Sequence, residues 1–399
     1  QALRREDKRV AVKEEIVAFA DEMRAWRRDI HAHPETAFEE NRTSDIVAEK
    51  LESFGIDVHR GLAKTGVVGT LAVGNSNRAI GLRADLDALD IHEENTFGHV
   101  STNPGKMHAC GHDGHTAMLL GAAKYLSETR RFNGTVQFIF QPAEENEAGG
   151  RVMCEDGLFE LFPVEAVYGM HNQPGLPLGK FGVRVGPSMA SADMFDIQIS
   201  GKGSHAAHPH QGADPIVTGA EIVTALQRVV SRSANPIEAA VISVTQFHAG
   251  TNTNVIPETA NIKGTCRALS RSVQDMIEAR MEQVAKGIAA AHGLTADFTY
   301  DRRYPVLVNT QDETLKAIKA AQSVVGEENV ATDHPPTMGS EDFAWMLLER
   351  PGCYIRVGNG EGEDGGCVVH NPLYDFNDDA AVYGASYWAE LVEQELSLG

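Results

Sequence analysis

Nine residues, Met107-His-Ala-Cys-Gly-His-Asp-Gly-His115, constrain this chain more than any other stretch. They hold three histidines, a cysteine and an aspartate. Thiolate and imidazole are the donors that zinc and its neighbours prefer. Glycines at 111 and 114 let the backbone fold tightly, so that close-spaced side chains converge. Met118, Leu119, Ala122, Ala123 and Leu126 then recur at helical spacing, which predicts a buried helix from His115 to Glu128. A lone His or Cys is ordinarily a packed core residue. Four potential donors on one glycine-hinged turn point to a metal instead.

The chain's 399 residues exceed one ordinary core, so two domains are expected. It carries 35 basic and 56 acidic residues, a formal charge of −21. That argues against nucleic acid or an anionic membrane as partner, because phosphate binding needs a basic face. The five cysteines, at 110, 154, 266, 353 and 367, are odd in number, widely spaced and form no CxxC. No disulfide framework is expected, and a reducing cytoplasm fits. No apolar run is long enough to predict a membrane span. Residues 1–12 are charged, without an apolar signal core, and the missing initiator Met fits a trimmed or engineered start.

Along the chain, Glu14 to His33 predicts an amphipathic helix ended by Pro34, and Thr43 to Phe54 a second, closed by Gly55. Gly66 to Val73 and Ala79 to Arg83 read as strands, the second running into Asp85-Leu-Asp87. Gly134 to Phe140 ends in Gln141-Pro-Ala-Glu-Glu145, and Ala166 to Met170 delivers His171. Open α/β sheets place ligands beyond the carboxyl ends of their strands, where these residues fall. The alternation of strand and helix predicts an α/β domain with a doubly wound, mainly parallel sheet. Near Ser191 the pattern changes to β-α-β-β-α-β, the order of a ferredoxin-like α+β sandwich. Residues 190–303 are therefore read as an inserted domain, and 1–189 with 304–399 as one discontinuous domain.

Candidate ligands come from separate strand ends: Cys110, His112, Glu144 or Glu145, His171 and His370. A hydrolytic metal site needs several such donors and an open position for water, and this set is large enough for two ions. Adjacent glutamates are ordinarily a solvated loop. Placed behind a buried strand, they suit a divided role, one holding metal and the other taking a proton from water.

These motifs carry a resemblance. Arg83-Ala-Asp-Leu-Asp-Ala-Leu89, His108-Ala-Cys-Gly-His-Asp-Gly-His115, Gln141-Pro-Ala-Glu-Glu145, Gly201-Lys-Gly-Ser-His205, Asn254-Val-Ile-Pro257, Met338-Gly-Ser-Glu-Asp-Phe343 and Tyr374-Asp-Phe-Asn377 occur in order between about Arg24 and Leu391. The chain resembles the M20 metallopeptidase superfamily, and within it the amidohydrolase branch of hippurate hydrolases, N-acyl-amino-acid amidohydrolases and auxin-conjugate hydrolases. The resemblance implies that Cys110, His112, Glu145, His171 and His370 hold two divalent ions, zinc favoured, with manganese, cobalt or nickel as alternatives. It implies Glu144 as general base and Asp87 as the residue that orients the ligands. It makes the inserted domain a lid and dimer interface. There His205 reaches the reacting carbonyl, often that of the partner subunit, and Asn254 and Arg267 hold substrate. Other branches carry Asp where Cys110 stands, so the thiolate favours the amidohydrolase branch. Asp90 departs from a common Pro and bears on loop stiffness.

The expected function is metal-dependent hydrolysis of an N-acyl-amino acid to a carboxylate and a free amino acid, by a cytoplasmic homodimer acting on a small molecule. A dipeptidase or carboxypeptidase of the same superfamily is the alternative. A cysteine hydrolase using Cys110 and His112, or a non-catalytic binding protein, are more distant rivals.

Overall fold

The computed structural model describes residues 12–398. Residues 1–11, the bulk of the stretch inspected for a signal core, lie outside them.

The chain opens with helices α1 (Glu14–Ala18), α2 (Ala20–Ala32) and α3 (Asn41–Ser53). Strands β1 (Asp57–Leu62), β2 (Gly66–Val73) and β3 (Ala79–Asp85) follow, then α4 (His112–Thr129) and β4 (Gly134–Gln141). Short helices, among them α5 (Glu144–Glu147) and α6 (Gly149–Glu155), lead to β5 (Ala166–Pro174) and β6 (Phe181–Gly182). Next come β7 (Ala192–Ser200), β8 (Ser204–His205), α7 (Pro215–Arg228), β9 (Ala240–Ala249), β10 (Val255–Ile256), β11 (Thr259–Ala268), α8 (Arg271–Ala291) and β12 (Thr295–Tyr304). The last elements are α9 (Gln311–Val325), β13 (Val330–Ala331), α10 (Phe343–Glu349), β14 (Gly352–Gly360) and α11 (Ala380–Glu395).

The described chain divides into two compact units, one of residues up to Gly186 with Val308–Pro335 and Asp342 onward, the other of Pro187–Leu307 with Pro336–Glu341. The first is built on an eight-stranded sheet in the order β1-β2-β4-β3-β5-β14-β6-β13. Its centre, β4-β3-β5-β14, is parallel, while the β1-β2, β2-β4 and β14-β6 pairs are antiparallel. The mixed α/β fold expected from the alternating pattern is thus present. The central strands are buried on both faces, as parallel strands between covering layers must be. They carry Ile80, Leu82, Phe138, Phe140, Tyr168 and Met170 into the core.

Several boundaries depart from the sequence reading. The helix expected from Glu14 to His33 breaks at Phe19, whose φ of −116° and ψ of 23° leave the helical region while its ring is buried. Helix α4 begins at His112, three residues early, because Gly111 at φ 94° has already turned the chain. Helix α10 was not foreseen, since Phe343-Ala-Trp-Met-Leu-Leu-Glu349 is apolar almost throughout and shows no period.

The second unit runs β7-α7-β9-β11-α8-β12, with sheet order β9-β11-β7-β12 and every pair antiparallel. One face packs Ile197, Ile199 and Ile262 against Ile222 and Leu226 of α7 and Ile277 and Met281 of α8. Asp214 caps α7 by accepting from the Ile216 and Val217 amides, with Pro215 next, and Ser270 caps α8 through the Val273 amide. Among the described residues no helix is long and apolar enough to cross a membrane.

Candidate metal centre

Parallel pairing brings strand ends together. Asp85 at the end of β3 stands beside Gln141 at the end of β4, and β5 lies on the other side of β3. Asp87 follows β3, Glu144 and Glu145 follow β4, and His171 lies within β5. Cys110 and His112 enter from the start of α4, and His370 from the loop before α11. All belong to the first unit.

The local backbone is shaped for this convergence. At Gly111 a Cβ would lie 2.4 Å from Asn172 Oδ1 and 2.5 Å from the Tyr374 hydroxyl, so only glycine fits at φ 94°. Gly114 acts differently from the expectation. It is inside α4, and its missing Cβ makes room for the Phe376 ring, which would be 2.3 Å away. Ala143, Ala148 and His370 hold φ values of 56°, 53° and 63° without being glycine. Non-glycine residues in that region collect at functional sites.

Three overlapping groups of ligand atoms lie within 4.8 Å of one another: Cys110, His112 and His171; Cys110, Glu145 and His370; His112, Glu144 and Glu145. Cys110 Sγ is 3.3 Å from His171 Nε2, His112 Nε2 is 3.9 Å from Glu145 Oε1, and His370 Nε2 is 3.3 Å from the same oxygen. The ring hydrogen bonds fix which nitrogen faces inward. His112 Nδ1 donates to the Asp87 carbonyl at 2.9 Å, and His171 Nδ1 to the Asn172 carbonyl at 2.6 Å. Each Nε2 therefore keeps its lone pair for the centre. The Asp87 carboxylate also lies 3.2 Å from His112 Nδ1 through Oδ1 and accepts the Glu145 backbone amide at 3.0 Å through Oδ2, tying the ring and the Glu145 backbone to one side chain.

His115 belongs to a further group with Asp85 and His112, yet its ring is already engaged on both sides. Nδ1 meets Asp85 at 2.6 Å, and Nε2 accepts the Asn172 amide at 3.0 Å. It supports the ligand layer from behind.

A divalent cation fits this constellation. His112 Nε2 and Glu145 Oε1 are buried without a hydrogen-bond partner, at about the spacing of two ligand atoms around one ion. Burial pushes the Cys110 thiol well up, and the Glu145 charge adds to it. Burial would lower His112, but Asp85 and Cys110 outweigh it and hold the ring well above its usual value. Burial and the neighbouring His115 push His171 well down, and contact with Glu145 raises His370. Metal binding releases protons from thiol and imidazole ligands of this kind.

The candidate residues of the second unit are arranged otherwise. His205 and Asn254 are exposed neighbours: β8 pairs with β10, and the Ala206 amide donates to the Asn254 carbonyl at 2.9 Å. A shallow groove of about 510 Å³ runs past them, lined also by Gly203, Ile256 and Glu258. Arg267 lies at the other end of β11, roughly 25 Å along the strand from Thr259. Its guanidinium donates to Thr265 Oγ1 at 2.5 Å and to the Cys266 carbonyl at 3.0 Å.

The sequence offered His115 as a potential donor and Asp85 only as a residue at a strand end, and it assigned no role to Asn172 or to the Arg27–Asp113–His31–Glu93 chain that anchors the start of α4 in the polar layer beneath the centre. Arg27 Nη1 is 3.5 Å from Asp113 Oδ2, and the His31 ring bridges Asp113 at 2.8 Å and Glu93 at 3.1 Å. One signal was available, since Arg27 and His31 stand on the apolar face of a predicted helix, where a charge needs partners.

Residues 81–394 match the model of peptidase family M20/M25/M40. A hippurate hydrolase of Campylobacter jejuni is 40% identical over 377 residues, covering 94% of this chain and 97% of that protein. An N-acyl-L-amino acid amidohydrolase of Geobacillus stearothermophilus is 46% identical over 304 residues, 74% of this chain and 81% of the other. Among solved structures, a dinuclear metal-binding M20 peptidase from Bacillus subtilis superposes with a TM-score of 0.84 at 36% identity, covering 95% of this chain and 99% of that one.

Proposed function

The chain belongs to peptidase family M20/M25/M40 and is a hydrolase acting on amides, and from that membership we propose that it cleaves N-acyl-amino acids to a carboxylate and a free amino acid. The observation that supports this is the largely buried cluster of the Cys110 thiol, histidines and Glu145, exposed at His370, with a second carboxylate, Glu144, beside it. Cys110, His112, Glu145, His171 and His370 would hold two divalent ions, zinc first by softness of the ligands. Such ions supply Lewis acidity, polarising an amide carbonyl and acidifying water.

The rest is the work of the chain's own groups. Glu144 takes the proton of the attacking water and returns it to the leaving nitrogen. Asp87 holds the His112 ring and the Glu145 backbone in register. His205 donates to the oxygen on which charge develops, Asn254 holds the substrate, and Arg267 pairs with the carboxylate beside the scissile amide.

We also propose that the second unit, read from the sequence as residues 190–303, is a lid through which two copies associate, each lending His205 to the other. Edge strand β9, Ala-Val-Ile-Ser-Val-Thr-Gln-Phe-His-Ala, carries no charged residue and no proline. Charges and prolines are among the features that guard natural edges, and an edge without them can pair with another chain, although β9 is interrupted by a bulge at Val244–Gln246. Exposed Phe247 on β9 and Ile216 and Val217 on α7 extend the surface, and twofold pairing is the commonest arrangement. All five cysteines are free thiols, which fits the cytoplasm we propose as its compartment.

A panel of acetyl-, benzoyl- and indoleacetyl-amino acids set against dipeptides tests the reading. Metal-dependent release of a free amino acid from the acyl series is expected. Turnover confined to dipeptides would move the protein to the peptidase side of its family.

A further inference from the structure

An arginine inside a buried strand must be matched by partners, because an unpaired buried ion is prohibitively costly. Arg83 stands in β3 between Leu82 and Ala84, with its side chain wholly buried. Its Nε donates to Gln141 Oε1 at 2.8 Å, Nη1 to Asp85 Oδ2 at 2.8 Å and Nη2 to Asp342 Oδ1 at 2.9 Å.

These acceptors lead to different sides of the centre. Asp85 meets the ring of His115 at 2.6 Å and lies 3.7 Å from His112 Nε2. Asp342 donates its backbone N–H to Glu144 Oε1 at 3.3 Å. The Asp342 carboxylate is held in turn by the Gln141 amide at 2.8 Å and the Gly150 backbone N–H at 2.7 Å. Gln141 closes β4, three residues before Glu144. One planar cation therefore joins the carboxylate behind the histidines to the carboxylate behind the glutamate.

We propose that Arg83 is a positioning residue that sets the histidine side of the centre and Glu144 at a fixed separation; this deepens the amidohydrolase reading and rests on it. A guanidinium directs donors along fixed in-plane vectors, whereas a lysine ammonium is a point charge on a flexible stem. Arg83→Lys keeps the charge and loses the fork. It separates positioning from simple charge balance.

The test compares Arg83→Lys, Arg83→Met and Asp342→Asn with the wild-type protein. It reads kcat and KM for benzoylglycine, zinc affinity of the metal-free protein by calorimetry, and Tm. Leu391→Ala, a cavity in the buried face of α11, supplies a variant of lowered stability away from the centre. Substituting residues that orient metal ligands typically costs about 10–100-fold. Arg83→Lys is expected to lose about that much in kcat and in zinc affinity, with KM within about threefold, and to stay above Arg83→Met. Asp342→Asn should lower kcat while zinc affinity stays near wild type, because Asp342 acts on the Glu144 side. Leu391→Ala should lose Tm and keep kcat.

Wild-type kcat and zinc affinity in folded Arg83→Lys would overturn the proposal, as would an equal kcat loss in Leu391→Ala at matched Tm. If the Arg83 variants do not fold, Asp342→Asn decides: lowered kcat with retained zinc supports the link, and unchanged kcat refutes it. If the wild-type protein hydrolyses no amide, the amidohydrolase reading fails. The zinc affinity of Arg83→Lys then still decides whether Arg83 organises the centre.

Discussion

The two units hold their candidate residues in opposite ways. In the first, Cys110, His112, Glu144 and His171 are buried near the carboxyl ends of parallel strands, and the His112 and His171 rings are each oriented by a backbone carbonyl. In the second, His205 and Asn254 sit exposed at a two-stranded corner, and Arg267 lies on β11 of the separate four-stranded sheet. The first arrangement is organised before anything binds. In the second, the candidates stay exposed or half-buried. On the proposed roles, the difference is that between a centre that would do the chemistry and a surface that would complete it.

Removing the base tests the organised side most severely. Glu144→Gln keeps the shape and loses the proton acceptor, a change typically worth about 10²–10⁴-fold in turnover. Bound metal, measured by elemental analysis, should stay near wild type. If metal is lost instead, while Glu145→Gln retains it, the two glutamates have exchanged roles.

The completing surface should show a slightly smaller effect with a distinctive signature. Losing one donor to a developing oxyanion costs about 10²–10³-fold, so His205→Ala should fall in that range. If His205 serves the partner, co-refolding His205→Ala with Glu144→Gln creates mixed dimers that have one intact site. Activity should then recover to at most about a quarter of wild type under random mixing of a twofold dimer. No recovery in proven mixed dimers would return His205 to its own subunit.

Asp87→Asn probes how far the organisation depends on a single carboxylate. It weakens the hold on His112 and on the Glu145 amide together, and about 10–100-fold in metal affinity is expected by calorimetry. Unchanged affinity would leave the two carbonyl-oriented rings sufficient by themselves.

The smallest effect concerns stability and pH. Burial would lower the His31 pKa, but its hydrogen bonds to Asp113 and Glu93 more than reverse this and raise it to about 9. Its folded value lies above its ordinary 6.5, so the stabilisation is complete below pH 6.5 and drains away as pH rises toward 9. The shift corresponds to about 3 kcal/mol. Wild-type Tm should therefore fall more steeply over that window than that of His31→Gln. Parallel slopes would mean His31 does not anchor the start of α4 through its charge.

Much of the first unit was legible in the sequence because its signals are local. A cysteine and histidines on a glycine turn, and acidic pairs directly after β-rich runs, need no knowledge of the fold to be noticed. The layer beneath them was harder to read. Arg83 and Asp342 are 259 positions apart and meet only in the folded chain, and His115, which has the chemistry of a donor, has its Nε2 engaged by the Asn172 amide. Even so, an arginine inside Ala-Ile-Gly-Leu-Arg-Ala-Asp was a usable sign, since a strand buried on both faces cannot leave a guanidinium unpaired. In the second unit the β-α-β-β-α-β order was plain. The roles of His205, Asn254 and Arg267 came only through family resemblance, because exposed residues at a strand corner, or a half-buried arginine on a strand, carry no periodic signal of their own.

The most direct measurement is hydrolysis of benzoylglycine by protein stripped with a chelator under reducing conditions, then titrated with zinc, manganese, cobalt or nickel. Reduction matters because oxidised Cys110 would no longer be a thiolate ligand. Activity should vanish on stripping and return with added metal, levelling at about two ions per chain, the number such paired sites hold. Full activity in rigorously metal-free protein would contradict the metal centre and the function built on it.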